Sequence, residues 1–137
     1  MTLNVVATEG TVNLTQSALK APLQVKELSV EAGGDIDVTG MEITSSTTLK
    51  LDAEGDISAQ ASKLQSGTSL TVEAKNLQAS SATLKSENDS VTINTSKDAS
   101  LNGASISATN GTVGIIATGL ITGTSSNLTS KIGRAHV

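Results

Sequence analysis

The sequence predicts an all-β fold, a right-handed parallel β-helix (β-solenoid) with about 21 residues in each three-strand coil. Three observations lead to this prediction. A short strand pattern returns at an almost constant spacing, each strand alternates apolar and polar residues, and no segment places apolar residues at helical spacing. A repeat of about 20 to 50 residues is typical of arrays in which each unit buries its apolar side only against its neighbours.

The first strand of each coil defines the repeat. Equal steps of one repeat from Leu28 reach the next three copies of an apolar-x-apolar triplet, and one inserted residue precedes the last copy. Alternation of this kind is expected of a strand with one buried face, so these residues should stack in one column along the axis. The triplets begin at Leu28, Leu49, Leu70, Val91 and Val113.

Two further strands follow in each coil. Small polar residues that favour turns flank their triplets, so each coil should have three sides. The spacing changes by one residue near Leu77 and again near Asn110, as insertions at corners would cause. The second column consists of Ile36/Val38, Ile57/Ala59, Leu77/Ala79, Ala99/Leu101 and Leu120, and the third consists of Met41/Ile43, Leu64, Ala82/Leu84 and Ala104/Ile106.

Two other repeat folds fit the pattern less well. A leucine-rich repeat needs a helical or 3₁₀ stretch in each unit, and a left-handed β-helix repeats about every six residues. In this chain the triplets are unevenly spaced within each repeat, and no helical stretch is predicted between them. The right hand follows from the strong preference of parallel strand connections for right-handed crossovers.

The regular repeats span residues 28–131, and the pattern before them is looser. Residues 1–27 are predicted to form one or two irregular coils of the same solenoid. Pro22 would lie at a corner, where its missing N–H costs little. The candidate strands of this region lie at Leu3/Val5, Val12/Leu14, Leu19/Ala21 and Leu23/Val25.

The last six residues, 132–137, do not continue the repeat pattern. Their sequence matches the in-frame translation of the start of a common short-read sequencing adapter, so we interpret them as an artefact and predict no structure there. They hold the one arginine of the chain, Arg134, and its one histidine, His136, which are therefore not taken as functional residues. The natural protein is expected to continue past residue 131.

The composition disfavours several classes of function. Of the 137 residues, 19 are Ser and 19 are Thr, whereas aromatic residues and cysteine are absent. The formal net charge is −4, and the chain has neither basic patches nor aromatic platforms, so nucleic-acid binding is not expected. Membrane insertion is not expected either, because no run of about 18 apolar residues is present.

One column of acidic residues is the strongest candidate for a metal site. Glu31, Asp52 and Glu73 recur on the outward side of the first strand, and Asn94 continues the column. Coils about 4.8 Å apart would place these carboxylates close enough to share a Ca²⁺ ion or to act as an acid/base pair. A solvated edge that discourages lateral sheet pairing explains the column better. We therefore assign no metal ion and no cofactor.

Catalysis is not expected. A catalytic serine needs an adjacent base, and the one histidine lies in the artefactual segment. Polysaccharide-cleaving β-helices combine clustered carboxylates with arginine or lysine and usually with aromatic rings, but residues 1–131 contain neither arginine nor an aromatic residue. The chain is therefore predicted not to be an enzyme, and no catalytic or cofactor-binding residue is assigned.

Several repeat strings resemble a known family. The strings at 34–38, 49–57 and 70–74, of which the first reads Gly-Asp-Ile-Asp-Val, are similar to the repeat region of filamentous haemagglutinin-like exoproteins of Gram-negative bacteria. That family includes two-partner secretion adhesins and the stalks of contact-dependent inhibition toxins. The resemblance covers roughly residues 28–118. It implies a long β-helical fibre that is secreted or lies on the bacterial cell surface.

The resemblance also implies a function. We expect a structural fibre segment of a large adhesin or exoprotein, which acts as a stalk for cell or surface attachment. Its partners would be further β-helix coils of the same longer chain and receptors or glycans on host or neighbouring cells. Two alternatives remain open: the trimeric β-spike of a type VI secretion tip protein, and a fragment of a β-helical polysaccharide-acting enzyme. Glycosylation also remains open at five sequons, Asn13, Asn88, Asn94, Asn110 and Asn127.

Overall fold

The computed structural model describes residues 1–130 and the backbone of Ala135–His136. These residues form an all-β parallel solenoid of about six coils, with three strands in each coil and almost no helix. The predicted all-β parallel solenoid with about 21 residues per coil is therefore confirmed. No helix in the described part of the chain has the length and apolar character needed to cross a membrane.

Each coil contributes strands to three parallel sheets. The first sheet contains β1 (Thr2–Ala7), β4 (Glu27–Ala32), β7 (Leu49–Ala53), β10 (Leu70–Ala74), β13 (Val91–Thr95), β16 (Val113–Ala117) and β19 (Ala135–His136). The second sheet contains β2 (Val12–Asn13), β5 (Ile36–Asp37), β8 (Ile57–Ser58), β11 (Leu77–Gln78), β14 (Ala99–Ser100) and β17 (Ile121–Thr122). The third sheet contains β3 (Leu23–Val25), β6 (Glu42–Ser45), β9 (Lys63–Ser66), β12 (Thr83–Ser86), β15 (Ser105–Ala108) and β18 (Asn127–Ser130).

The column of the first sheet lies where the repeat period predicts it. From β4 to β16, successive register partners in this sheet are one repeat apart, and the inward side chain that begins the triplet of each strand is fully buried. Because successive residues of a strand point to opposite faces, the alternate positions lie on the outer surface. The column consists of Leu28, Leu49, Leu70, Val91 and Val113.

The second column differs from the prediction at one position. Ala99 pairs with Ile121, so the assignment of Leu120 to this column is wrong. The inserted residue near Asn110 lengthens the coil by one residue, so Leu120 falls in the corner, where its side chain is 70% exposed. The third column is paired as predicted, through Ile43, Leu64, Leu84 and Ile106.

Residues 2–25 form a single coil, whose first strand pairs in register with β4. A four-residue helix, α1 (Gln16–Leu19), lengthens this coil between β2 and β3. The Thr15 hydroxyl caps α1 by accepting a 3.1 Å hydrogen bond from a backbone N–H of the first turn. Lys20 ends α1 with a left-handed backbone, at φ 61°. The predicted strand at Leu19/Ala21 is therefore wrong, because these two caps close a helical turn there.

The expectation that residues 132–137 carry no structure falls mainly on residues outside the described part of the chain. In that segment only the backbone of Ala135–His136 is described. It forms β19, the parallel partner of Val113 and Gly114 in β16, so these two residues differ from the expectation. The physical reason is that an exposed strand edge offers N–H and C=O groups to extended backbone, whatever its side chains.

A continuous apolar core fills the axis of the stack. Near their ends, strands of the third sheet also turn serine hydroxyls inward, at the buried residues Ser45, Ser66 and Ser86. These hydroxyls donate to backbone carbonyls at the corner that follows; the Ser45 hydroxyl lies 2.7 Å from the carbonyl oxygen of Thr48. A buried polar group without a hydrogen-bond partner costs about 1–3 kcal/mol. These bonds give partners to both the serine hydroxyls and the corner carbonyl groups, so the polar backbone can turn next to the apolar core.

Candidate functional site

The three acidic residues identified from the sequence lie in one outward column of the first sheet. Glu31 is the register partner of Asp52, and Asp52 is the register partner of Glu73. Asn94 extends the column in the next coil. All four residues are exposed or partly buried. The period of the repeat thus placed these side chains next to one another, as the sequence predicts.

The column arranges its carboxylates along a line and not around a point. Neighbouring strands lie about 4.8 Å apart, so the first and third carboxylates of the column are separated by roughly two strand spacings. Calcium, by contrast, takes about six to eight oxygen ligands that surround the ion. In the described part of the chain, no three or more His, Cys, Asp or Glu side chains are grouped so that they could hold a metal ion.

Two separate shallow hollows lie beside this column. The first has a volume of about 360 Å³ and is lined by residues of β1 together with Glu31, Asp52 and Glu54. The second, of about 390 Å³, is lined by residues that include Glu73 and Lys75. Both are open to solvent. Small-molecule pockets bury most of their ligand, so these open hollows lack the enclosing walls of such a pocket.

Asp and Asn side chains form a ladder at the first corner, which is the turn between the first and second sheets. Asp35 accepts a 2.8 Å hydrogen bond from the backbone N–H of Asp56 in the next coil. The side-chain amide of Asn76 donates to the Asp56 carboxylate at 3.0 Å, and its oxygen accepts from the N–H of Asp98 at 3.1 Å. The Asp98 carboxylate then accepts a 2.8 Å bond from the N–H of Leu120. This ladder links successive coils outside the sheets.

The corner ladder was not predicted from the sequence, although a signal for it exists. Asp or Asn recurs at this corner in four successive coils, but hydropathy does not distinguish a corner side chain that bridges coils from one that faces solvent. Glycine supports two of these bridges, because an added Cβ atom on Gly119 would lie 2.1 Å from the carboxylate of Asp98, and Gly55 takes the same place at Asp35. A Cβ atom on Gly55 would lie 2.2 Å from the carboxylate of Asp35, so the absence of a side chain there lets that carboxylate reach Asp56.

Charged side chains are confined to one part of the chain before residue 131. They occur from Glu9 to Asp98, whereas residues 99–130 contain none. Ile116 continues the acidic column in the last coil, and Leu120 continues the corner ladder. Their side chains are 63% and 70% exposed. Both polar columns therefore end in exposed apolar residues.

Comparison with known proteins assigns no family. No protein-family model matches the chain, and no match was found among the curated proteins or the solved structures. The solenoid fold is thus supported by the strand pairing of the chain itself. The resemblance to filamentous haemagglutinin-like repeats stays a prediction.

Proposed function

We propose that this chain is a structural fibre segment of a large secreted or surface-exposed bacterial adhesin or exoprotein, in which it acts as a stalk. The observation that supports the proposal most strongly is the unbroken stack. The same three strands return in about six successive coils, and the core runs through all of them without interruption. A stack of this kind supplies reach and rigidity.

A parallel solenoid converts chain length into distance. Each coil adds about 4.8 Å along the axis, because that is the spacing of hydrogen-bonded strands. Every coil is held to the next by three strand pairings, and the Asp35 to Asp98 ladder adds bonds between coils at a corner. Since backbone groups that are paired in this way are protected from water and proteases, the rod should be stiff and durable.

The polar side chains of the stack support a spacer better than an enzyme. The inward hydroxyls of Ser45, Ser66 and Ser86 donate to backbone carbonyls, so these serines do not face a base that could activate them. The column of Glu31, Asp52 and Glu73 gives the first sheet a charged outer surface, which opposes lateral pairing with other sheets. The partners of such a stalk would be further coils of the same longer chain, stacked along its axis, and receptors or glycans contacted by attached modules.

Surface labelling of the bacterium that produces the protein tests the proposal. Antibodies raised against the folded chain should label intact cells, and protease added outside the cells should remove the label while a cytoplasmic control protein persists. The purified chain should show no hydrolase or lyase activity on acidic polysaccharides. Labelling that requires permeabilised cells would contradict the surface location, and turnover of a polysaccharide would contradict the spacer role.

A further inference from the structure

The chain contains two Asn-Gly pairs, Asn102–Gly103 and Asn110–Gly111. Asparagine is a chemically labile residue. Glycine lacks a Cβ atom, so its backbone nitrogen can approach the side chain of the preceding residue closely. The two pairs are alike in sequence, and the way in which the fold holds each of them therefore decides whether it reacts.

The reaction that such a pair can undergo is deamidation. The backbone nitrogen of glycine attacks the Cγ atom of the asparagine side chain. A new bond from that nitrogen to Cγ closes a succinimide ring, the bond from Cγ to Nδ2 breaks, and the proton of the backbone nitrogen leaves with Nδ2 as ammonia. Water then opens the ring at either of its carbonyl groups, which gives aspartate or isoaspartate. In isoaspartate the main chain runs through Cγ, so the backbone is longer by one carbon atom.

The structure holds the first pair by two hydrogen bonds to one residue of the next coil. The Gly103 N–H donates to the carbonyl oxygen of Thr124 at 2.9 Å. The side-chain oxygen of Asn102 accepts a bond from the Thr124 N–H, also at 2.9 Å. Attack on Cγ would need the Gly103 nitrogen and the Asn102 side chain to turn away from Thr124. Both bonds would have to break, so this pair should react slowly in the folded chain.

The second pair lies in the corner between β15 and β16 and is held differently. No atom of the described residues accepts a hydrogen bond from the Gly111 N–H, which is the attacking group. The side-chain amide of Asn110 donates to the carbonyl oxygen of Glu87 at 2.9 Å, and this bond involves Nδ2, the atom that leaves. The Asn110 side chain is exposed, so water can reach the succinimide.

From this contrast we infer that Asn110 is a site of spontaneous modification, where the folded chain converts asparagine into aspartate and isoaspartate while Asn102 stays intact. Either product loses the Nδ2 donor to Glu87 and brings a negative charge into residues 99–130, which otherwise have none. Isoaspartate also lengthens the turn between two strands whose register is fixed by the preceding coil. The modification therefore loosens this corner as the protein ages. The inference goes beyond the proposed stalk function and does not rest on it.

Peptide mass spectrometry of the full chain tests the selectivity. The purified, unglycosylated chain is kept folded at mildly alkaline pH, and samples are digested with trypsin at intervals. No lysine or arginine lies between Lys97 and Lys131, so residues 98–131 are released as one peptide that holds both sites. Fragment ions then assign each exchange of an amide for a carboxylate to Asn102 or Asn110, and electron-transfer fragmentation separates aspartate from isoaspartate.

In the folded chain Asn110 should convert about tenfold faster than Asn102 or more, the ratio expected when one or two extra hydrogen bonds must break. In guanidinium chloride the two rates should become similar, because the hydrogen bonds to Thr124 are lost. Asn110→Gln should abolish the fast change, since a longer side chain must close a larger ring. The matched control, Asn102→Gln, should leave the rate at Asn110 unaltered.

Urea unfolding tests the effect on the corner. Asn110→Asp supplies one of the two products directly and should lower the urea midpoint. Asn127→Asp is the matched control: it adds the same charge within residues 99–130, at an exposed position where the side chain accepts a hydrogen bond from the Thr129 hydroxyl, as a carboxylate also can. Its midpoint should stay close to that of the wild type.

Three outcomes would overturn the inference. The first is a folded chain in which Asn102 converts as fast as Asn110 or faster. The second is a ratio of the two rates that is the same in the folded and the unfolded chain, which would show that the fold has no part in the selection. The third is an Asn110→Asp variant with the same urea midpoint as Asn127→Asp, which would show that the modification leaves the corner intact.

Discussion

Replacing Leu70 with alanine measures how much stability one core position provides. Leu70 is fully buried in β10, between Leu49 and Val91 of the neighbouring coils. Alanine removes the branched end of the side chain and leaves a cavity that the paired strands above and below hinder from closing. Changes of this kind cost about 2–5 kcal/mol. Since domains are stable by only about 5–15 kcal/mol, this loss is a large part of the total free energy of unfolding.

The matched control is Glu73→Ala in the same strand. Glu73 lies on the outward face, only partly buried, so its loss should change the free energy of unfolding by less than about 1 kcal/mol. A third variant, Leu70→Asp, leaves an unpaired carboxylate between two coils and should be more destabilising than Leu70→Ala. The expected order of stability is therefore Glu73→Ala, then Leu70→Ala, then Leu70→Asp.

Urea unfolding provides the measurement, with far-ultraviolet circular dichroism as the signal, because the chain has no aromatic residue whose fluorescence could be followed. The free energy comes from linear extrapolation to zero urea, repeated at two protein concentrations so that association is separated from unfolding. Equal losses for Leu70→Ala and Glu73→Ala would refute the reasoning. A slip of one residue in register moves every side chain to the opposite face, so it would remove the difference.

Three further changes test the corners and the repeat. Gly67→Ala should lower the free energy of unfolding by more than about 2 kcal/mol, because its Cβ would lie 2.0 Å from the carbonyl oxygen of Ser46. Gly114→Ala is the control: an added Cβ there meets nothing within 4 Å, so the urea midpoint should not fall. Ser45→Ala should cost about 1 kcal/mol, and a midpoint equal to that of the wild type would show that its buried hydroxyl contributes nothing. Excision of residues 49–69, which is one full coil, should leave a fold that still unfolds cooperatively, and small-angle X-ray scattering should show a rod about 4.8 Å shorter. Excision of residues 49–59 removes only part of a coil and should disrupt the fold. If both deletions were tolerated equally well, the predicted repeat length would be contradicted.

The strand columns could be predicted from the sequence because the repeat turns contacts in space into a period along the chain. Leu28 stacks on Leu49 for the same reason that Glu31 stacks on Asp52: each pair is one coil apart, and alternation within a strand decides which face each residue occupies. A hydropathy pattern contains both the period and the alternation. The fold, the core columns and the acidic column therefore followed from the sequence.

Prediction failed where the spacing changes. In the first coil, Leu19 belongs to α1 and not to a strand, because the Thr15 cap and the left-handed Lys20 stabilise a helical turn. In the last coil, an inserted residue moved Leu120 into a corner and left Ile121 in the column. An apolar residue beside a corner fits either position by hydropathy alone. The backbone hydrogen bonds to the neighbouring coil decide which one it takes.

The sequence alone thus determined the architecture of this protein, namely a parallel three-sided stack with an outward acidic column, because regular stacking makes burial periodic. Only the tertiary structure decided how the corners are held and how the ends are shaped. The bond from the N–H of Asp56 to the carboxylate of Asp35 depends on the distance and direction between two coils, and on a glycine that leaves room for it. Distances and directions of that kind arise only when the coils are packed together, so no pattern of residue types along the chain contains them.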